Sequence, residues 1–223
     1  MNVGIILVAA GLGTRLRATQ PKAFVRVAGT TLIEHAVTRA FEAAYISQII
    51  IVAPASHLGE AGALVSAHPR VADITVVAGG SERTLSVSAG LAALREDVEI
   101  VLVHDAARCL APASLFDRLV AAVRAGHDAV VPGLPVTDTI KQVDEQGRVV
   151  ATPERSTLRA IQTPQAFRRT VLAQAHAAGL EATDDAALVE RLGAAVLVVD
   201  GDDLAFKVTT QTDLERASRI LGS

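Results

Sequence analysis

The feature that most constrains the fold is the regular alternation of short apolar runs with stretches of helical period. The apolar runs are Val3–Ala9, Gln48–Val52, Ile74–Val77, Glu99–Val103, Ala129–Val131 and Ala195–Val199. Nearly every residue in these runs is apolar, which is typical of strands covered on both faces. The helical stretches are Thr31–Ala44, Ser86–Leu94, Ala113–Ala125, Thr170–Ala178, Asp185–Leu192 and Thr212–Leu221. The alternation predicts an α/β fold, a mostly parallel twisted sheet with helices on both faces.

The chain has 223 residues and shows no repeat and no shift in composition that would mark a linker. We therefore expect one Rossmann-like domain over residues 1–223. The segment Pro135–Arg155 departs from the alternation, since it contains two short predicted strands, Thr139–Val143 and Arg148–Ala151, around the polar turn Asp144–Gly147. An isolated hairpin is marginally stable in water, so this one must pack on something. Spacing alone favours packing on its own domain over an arm that reaches a second subunit.

Composition excludes several classes of protein. The single cysteine, Cys109, excludes a disulfide framework and a multi-cysteine metal site. A net charge of -3 and an aromatic content of 3% argue against a nucleic-acid binder. No apolar run approaches the length of a membrane span, and the first residues are typical of a strand rather than a signal peptide. We expect a cytoplasmic protein that binds neither nucleic acid nor membrane.

The loop after the first predicted strand, Ala9–Lys22, has the composition of a phosphate-binding loop. Gly11 and Gly13 allow the backbone to approach a ligand closely, and Arg15, Arg17 and Lys22 add three cations. The chain contains no Walker A string, and the third glycine of the dinucleotide fingerprint is missing. The loop therefore favours a phosphate ligand outside these two common motifs.

Seven motifs in order carry a resemblance to a known family. They are AAGLGTRL with the later PK, VAGGSERTLSVSAGL, VLVHDAARC, PVTDTIK, TPQAF, ATDDAALVE and FKVTTQTDLERA. From Val3 to about Ala217 the chain resembles the 2-C-methyl-D-erythritol 4-phosphate cytidylyltransferases of the non-mevalonate isoprenoid pathway. The resemblance implies cytidylyl transfer from CTP to methylerythritol phosphate, with Mg²⁺ as cofactor and a homodimer as the assembly. It also reverses the interpretation of the hairpin, which in this family crosses to the other subunit.

The resemblance implies roles for individual residues. Arg15 and Lys22 match the catalytic contacts to the triphosphate and the transition state. The nucleotide-binding positions are matched by Ala9, Ala10, Gly11, Gly13, Gly80, Ser81 and Ser86. Family members often have Asp where this chain has Ser81, and a backbone contact would survive that change.

The remaining implied roles concern the metal and the acceptor. The substrate-binding positions are matched by Arg108, Thr139, Arg155, Thr163 and Lys207. Asp105 follows an apolar strand and matches the Mg²⁺ ligand, since Mg²⁺ prefers oxygen donors. Asp203 is the candidate for a second metal ligand, although its spacing to Lys207 is one residue longer than in the family pattern. His104 is interpreted as structural, since no second histidine lies at metal-binding spacing.

Other functions remain open at this point. A ribitol-5-phosphate cytidylyltransferase, or another sugar-phosphate nucleotidyltransferase, would share the loops that bind CTP and differ in the acceptor pocket. A non-catalytic nucleotide sensor and a dinucleotide-dependent oxidoreductase are alternatives from other classes, and the basic loop argues against the oxidoreductase. Because Ser223 follows the last predicted helix directly, we expect no fused cyclodiphosphate synthase domain.

Overall fold

The computed structural model describes residues 1–11, 20–179 and 182–222. The strands are β1 Asn2–Val8, β2 Arg26–Val27, β3 Thr30–Thr31, β4 Ile46–Ala53, β5 Ile74–Ala78, β6 Val98–Asp105, β7 Ala129–Pro135, β8 Gln142–Val143, β9 Val149–Ala151, β10 Arg159–Ile161, β11 Gln165–Arg168 and β12 Val196–Asp200. The α-helices are α1 Leu32–Glu42, α2 Leu58–Val65, α3 Arg83–Ala93, α4 Ala113–Arg124, α5 Arg169–Ala177, α6 Asp185–Arg191 and α7 Gln211–Leu221. Strand and helix alternate along most of the chain, as the sequence predicts.

The main sheet is mostly parallel, which confirms the predicted fold class. Strand β1 lies between β4 and β6 and is parallel to both, β5 extends the sheet beyond β4, and β12 is parallel to β7. The sequence analysis missed β11, which pairs antiparallel with both β6 and β7. Strand β10 also pairs antiparallel with β7. Three or four residues are too few to give the apolar periodicity on which strand prediction depends.

Helices cover both faces of the sheet, as predicted. On one face Val3, Ile5 and Leu7 of β1 belong to a core that contains buried residues of α1, α2, α4 and α7. On the other face Ile6 belongs to a second core, built with α3, α5 and α6. Because successive side chains of a strand point to opposite faces, both cores are anchored on the same strand. Strand β1 is therefore held from two sides.

The first helix begins where the sequence predicts a capping box. The backbone N–H of Glu34 donates to Thr31 Oγ1 at 3.3 Å, and the backbone N–H of Thr31 donates to Glu34 Oε2 at 2.9 Å. This exchange satisfies N–H groups that the first helical turn leaves without partners. Helix α2 was missed, since Gly59 and Gly62 lower the helix propensity of a segment of only eight residues.

The predicted hairpin is present, with shorter strands. Its strands cover Gln142–Val143 and Val149–Ala151 rather than the longer predicted spans, and the pairing register shifts between Gln142 and Val143. The predicted turn is confirmed, because the N–H of Gly147 donates to the carbonyl of Asp144 and Gly147 has a φ of +79°. The valine side chains of β8 and β9 are uncovered in the single chain. The exposed fractions are 52% for Val143, 58% for Val149 and 57% for Val150.

Within the described residues, no helix combines the length and the apolar character that crossing a membrane requires. A cytoplasmic location stays a prediction.

Candidate active site

A cleft of about 290 Å³ opens at the carboxyl ends of β1, β5 and β6. In open α/β sheets ligands bind at this edge, where the carboxyl ends of parallel strands meet. The predicted site residues that line the cleft are Ala9, Ala10, Gly11, Lys22, Gly80, Ser81, Ser86, Asp105 and Lys207. The fold thus brings together residues that lie up to two hundred positions apart in the chain.

Two walls of the cleft approach each other closely because glycine stands between them. A Cβ atom on Gly79 would lie 2.7 Å from the Cβ of Ala10 and 2.8 Å from Ser86 Oγ. Backbone hydrogen bonds fix both walls to β4, from the N–H of Ala9 to the carbonyl of Val52 and from the N–H of Gly79 to the carbonyl of Ala53. A side chain at position 79 would therefore push Ala10, which follows β1, away from Ser86 of α3.

The loop of residues 79–82 and the first turn of α3 present backbone and hydroxyl groups to the cleft. Helix α3 begins at Arg83, three residues earlier than predicted, and no side chain caps its first turn. Ser86 is buried, and its hydroxyl donates to the carbonyl of Glu82 at 3.0 Å. Ser81 is exposed at the rim. These groups have the hydrogen-bonding character that the edge of a nucleobase requires.

Asp105 is the acidic centre of the cleft and is only 8% exposed. Lys207 Nζ lies 2.7 Å from its Oδ2 atom, and Arg83 Nη2 lies 3.9 Å from its Oδ1 atom. Burial raises the pKa of this carboxyl, but Lys207, Arg83 and Arg108 outweigh that effect and hold the pKa below its usual value. Asp105 is therefore a carboxylate at neutral pH, ready to attract a cation.

Thr163 and His104 hold the backbone of Asp105 in place. The N–H of Asp105 donates to Thr163 Oγ1 at 3.0 Å, and Thr163 Oγ1 lies 3.1 Å from His104 Nδ1. Burial lowers the pKa of His104 to about 4, so its ring is neutral at neutral pH. Both partners of Thr163 Oγ1 are protein groups, so Thr163 positions Asp105, while its direct contact with substrate stays a prediction.

Arg108 is held against the loop that carries Lys207. Its Nη1 donates to the carbonyl of Ala205 at 2.7 Å, and its Nη2 lies 3.5 Å from the carbonyl of Ile161. Its Nε is buried without a hydrogen-bond partner among the described residues, at 4.0 Å from Asp105 Oδ2. A buried guanidinium N–H without a partner is costly, and an anionic ligand would satisfy it.

The loop after β12 places Lys207 beside Asp105. Its start is fixed by the buried Gln162, whose amide donates to the carbonyl of Asp202 and accepts from its N–H. Its end is fixed by the N–H of Val208, which donates to the carbonyl of Ala107 at 2.8 Å. Asp203 is exposed and does not line the cleft.

The structure places the other predicted residues elsewhere. Gly13 and Arg15 lie outside the described residues. Thr139 is exposed on the hairpin segment, and Arg155 Nη1 donates to the carbonyl of Thr137 at its base. Neither Thr139 nor Arg155 lines the cleft of its own chain.

Sequence reasoning missed the pair formed by Arg83 and Asp185. The motif ATDDAALVE predicts a helix N-terminus at Asp184 and Asp185, and Asp184 does cap α6, since its Oδ1 accepts from the N–H of Ala187 at 2.9 Å. Asp185 instead is fully buried, and its Oδ2 atom lies 2.6 Å from Arg83 Nη1. Burial lowers the pKa of Arg83, but Asp185 and Asp105 outweigh that effect and raise it.

The sequence does contain a signal for this pair. Asp185 precedes Leu188 and Val189 by three and four residues, so it shares a helix face with two buried apolar side chains. A carboxylate on such a face needs a cationic partner, because an unpaired buried charge is very costly.

The doubly covered sheet and the cation-rich cleft at its carboxyl edge define an α/β nucleotide-binding protein. The family model of 2-C-methyl-D-erythritol 4-phosphate cytidylyltransferase matches residues 3–223. The chain therefore belongs to the 2-C-methyl-D-erythritol 4-phosphate cytidylyltransferase family, as its motifs suggest.

Individual relatives agree with this assignment. The 2-C-methyl-D-erythritol 4-phosphate cytidylyltransferase of Nocardia farcinica is 50% identical over 220 residues, which cover 99% of this chain and 94% of that protein. The bifunctional enzyme IspD/IspF of Clavibacter michiganensis is 50% identical over 223 residues, and the chain spans only 54% of its length.

Solved structures agree as well. The 4-diphosphocytidyl-2C-methyl-D-erythritol synthase of Anaerococcus prevotii has a TM-score of 0.88 at 30% identity, with 100% of this chain and 96% of that chain covered. The 2-C-methyl-D-erythritol 4-phosphate cytidylyltransferase of Thermus thermophilus has a TM-score of 0.80 at 32% identity, with both chains covered fully, at 100%.

Proposed function

We propose that this chain is a cytidylyltransferase that transfers the cytidylyl group of CTP to 2-C-methyl-D-erythritol 4-phosphate. The products are 4-diphosphocytidyl-2-C-methyl-D-erythritol and pyrophosphate. The observation that carries the proposal is the ionised Asp105 with Lys207 Nζ at 2.7 Å, facing the glycine-lined nucleotide loops in a chain of this family. Family membership favours this reaction over a nucleotide sensor or an oxidoreductase.

The reaction requires alignment and charge neutralisation rather than a general base. A phosphate oxygen of the acceptor, already an anion, forms the new bond to the α-phosphorus of CTP. The bond from that phosphorus to the bridging oxygen breaks, and pyrophosphate leaves with the electron pair. Lys22, which lines the cleft, is assigned to the charge that develops on the phosphates. Arg15 is assigned the same role from the family pattern alone.

The nucleotide is assigned to the two glycine-containing walls. Ala9, Ala10 and Gly11 offer backbone groups to the phosphates, and Gly13 joins them by the family pattern. Gly80, Ser81 and Ser86 offer backbone and hydroxyl groups to cytosine, which is distinguished by hydrogen bonds at its edge.

The residues of the cleft fit a magnesium ion in one position. Asp105 is a buried carboxylate beside the phosphate-binding loops, and Mg²⁺ is commonly held by one carboxylate together with substrate phosphates. Mg²⁺, when bound, supplies neutralisation of the triphosphate charge. The described residues contain no cluster of three or more acidic, histidine or cysteine ligands. We assign the ion to Asp105 alone, since Asp203 is exposed and outside the cleft lining.

The acceptor phosphate is assigned to the side of the cleft where Lys207 lies, and Arg108 lies next to this side through its contacts with Ala205 and Asp105. The unpartnered Nε of Arg108 supports this assignment, because a phosphate oxygen would provide the missing acceptor. Thr163 lies directly behind this side, through its contact with the Asp105 backbone.

We also assign the hairpin of residues 135–155 to a homodimer contact, in which Thr139 and Arg155 serve the cleft of a second copy. The exposed valines of β8 and β9 support this, since a two-stranded hairpin needs a partner surface for stability. Sedimentation of the wild type should give a dimer, and Val149→Asp should give a monomer with reduced activity. A fully active monomer would remove Thr139 and Arg155 from the site.

The test of the reaction is pyrophosphate release from CTP with a panel of acceptors. We expect release with 2-C-methyl-D-erythritol 4-phosphate and little with ribitol 5-phosphate or with no acceptor. Equal or faster turnover with ribitol 5-phosphate would assign the chain to that rival activity instead. Competition by ATP, GTP and UTP then measures how strictly the base is selected.

A further inference from the structure

Arg83 lies between two carboxylates, one in the cleft and one behind it. Its Nη1 atom is 2.6 Å from Asp185 Oδ2, within hydrogen-bond distance, whereas its Nη2 atom is 3.9 Å from Asp105 Oδ1, beyond it. Asp105 and Asp185 thus compete for the Arg83 guanidinium, and Asp185, which is fully buried, makes the hydrogen bond.

Asp185 is fixed independently of Arg83. His176 Nε2 lies 2.9 Å from its other carboxylate oxygen, Oδ1, and both side chains are buried. Gln165 holds the start of α6 through two hydrogen bonds, from its amide to Asp184 Oδ2 and from the N–H of Ala186 to its carbonyl oxygen. Asp185 therefore has a defined position from which to orient Arg83.

A different function for this cluster would be a Ser-His-Asp nucleophile, since Ser88 Oγ lies 3.2 Å from His176 Nδ1. The surroundings argue against it. Ser88 does not line the cleft, and the carboxylate that would orient the histidine is also bound to Arg83. The cluster orients a cation rather than activating a hydroxyl.

We propose that Asp185 and His176 are positioning residues that hold Arg83 away from Asp105, so that the Asp105 carboxylate stays available to the ligands of the cleft. The expected effect on catalysis rests on the proposed function, whereas the expected position of Arg83 does not. Without Asp185, Arg83 would turn to Asp105, and a close Arg–carboxylate pair would occupy Oδ1, the oxygen that Lys207 does not contact. Three cations would then compete for Asp105, since Lys207 and Arg108 already face it.

The structural test is a crystal structure of Asp185→Asn without substrates. The asparagine keeps an oxygen for His176 and loses the charge that holds Arg83. We expect Arg83 Nη2 to move to about 3 Å from Asp105 Oδ1, the length of a hydrogen bond. A separation that stays at 3.9 Å would overturn the proposal. Glu190→Gln is the matched control, because it removes a charge at an exposed position of the same helix.

The kinetic test compares the same variants. We expect Asp185→Asn to lower kcat/KM for CTP by about 10- to 100-fold, as for residues that orient a ligand-binding group, while Glu190→Gln stays near wild type. Adding Arg83→Gln to Asp185→Asn should recover part of the loss, because it removes the side chain that blocks Asp105. A double variant no better than Asp185→Asn would overturn the proposal, as would an Asp185→Asn enzyme with wild-type kcat/KM.

His176 gives a second line of evidence. His176→Gln keeps a donor for Asp185 and should retain more activity than His176→Leu at equal thermal stability. Equal activities at equal stability would remove His176 from the positioning role. Calorimetric titration with CTP measures the same differences as binding affinities, without turnover. If the wild type releases no pyrophosphate, the proposed function fails, while the crystal structure of Asp185→Asn still decides the geometry.

Discussion

Lys207→Ala tests whether the cation closest to Asp105 contributes to transfer. Lys207 Nζ lies 2.7 Å from Asp105 Oδ2, which gives a Coulomb attraction of about 6 kcal/mol at an effective dielectric constant of 20. A net charge-assisted hydrogen bond is weaker, about 1.5–3 kcal/mol. The side chain of Lys207 is 41% exposed, so water screens it and the lower half of that range applies. If Lys207 donates to the acceptor phosphate with similar strength, the loss of about 2 kcal/mol corresponds to an approximately 30-fold fall in kcat/KM.

The assay is steady-state pyrophosphate release, with each substrate varied in turn. We expect the larger change in kcat/KM for the acceptor, since Lys207 is assigned to its phosphate. The acid limb of the pH profile should also move to higher pH, because losing the cation raises the pKa of Asp105. Lys207→Arg keeps the charge and should lose less activity, and Arg219→Ala on exposed α7 is the distant control. Wild-type kinetics for Lys207→Ala would refute this reasoning.

Three further predictions follow from the same structure. Lys22→Ala should lower kcat by about 10²–10³-fold with an unchanged circular dichroism spectrum, and near-normal turnover would exclude Lys22 from catalysis. Gly79→Ala should raise KM for CTP and lower the free energy of unfolding by about 1–3 kcal/mol, because its Cβ would lie 2.7 Å from that of Ala10; unchanged KM and urea unfolding would contradict this. Burial opposes ionisation of Asp213, but hydrogen bonds from Thr209 and Thr210 lower its pKa from 3.8 to about 2. Asp213 should contribute fully to the free energy of unfolding at pH values above its pKa in the unfolded chain, and this contribution should be lost as the pH falls toward 2. The free energies of unfolding of wild type and Asp213→Asn should therefore converge in acid. A constant difference across this pH range would contradict the prediction.

The sheet was predictable because its central strands are buried on both faces. β1, β4 and β6 are each seven or eight residues long, and their continuous apolar runs exceed what a surface loop would contain. β10 and β11 could not be found in this way. They owe their conformation to pairing with β7, a tertiary effect that leaves no local periodicity.

The cleft was predictable to the extent that its residues lie directly after strands. Asp105 ends β6, and Gly80 lies two residues beyond β5, so the topology fixes their neighbourhood. Asp185 lies on a helix far from the cleft in sequence, and its contact with Arg83 depends on how α3 and α6 both pack against α5. Because of this separation, the sequence suggests only a local role for Asp185 at a helix N-terminus, and the buried ion pair with Arg83 was missed.

The charges of the cleft correspond to the requirements of the proposed reaction. Transfer between CTP and a phosphorylated alcohol brings two anions together, so a site for it needs an excess of positive charge. The chain as a whole has a net charge of -3, so this excess must be local. Asp105 and Asp185 each lie against cations within the described residues, and each holds a cationic side chain in position. A carboxylate that orients cations lowers the net positive charge of the site but keeps the cationic side chains in position. In-line transfer depends on the position of these groups as much as on their charge. Among the described residues, the cations that line the cleft are Lys22, Arg83 and Lys207, and Arg108 lies beside Asp105.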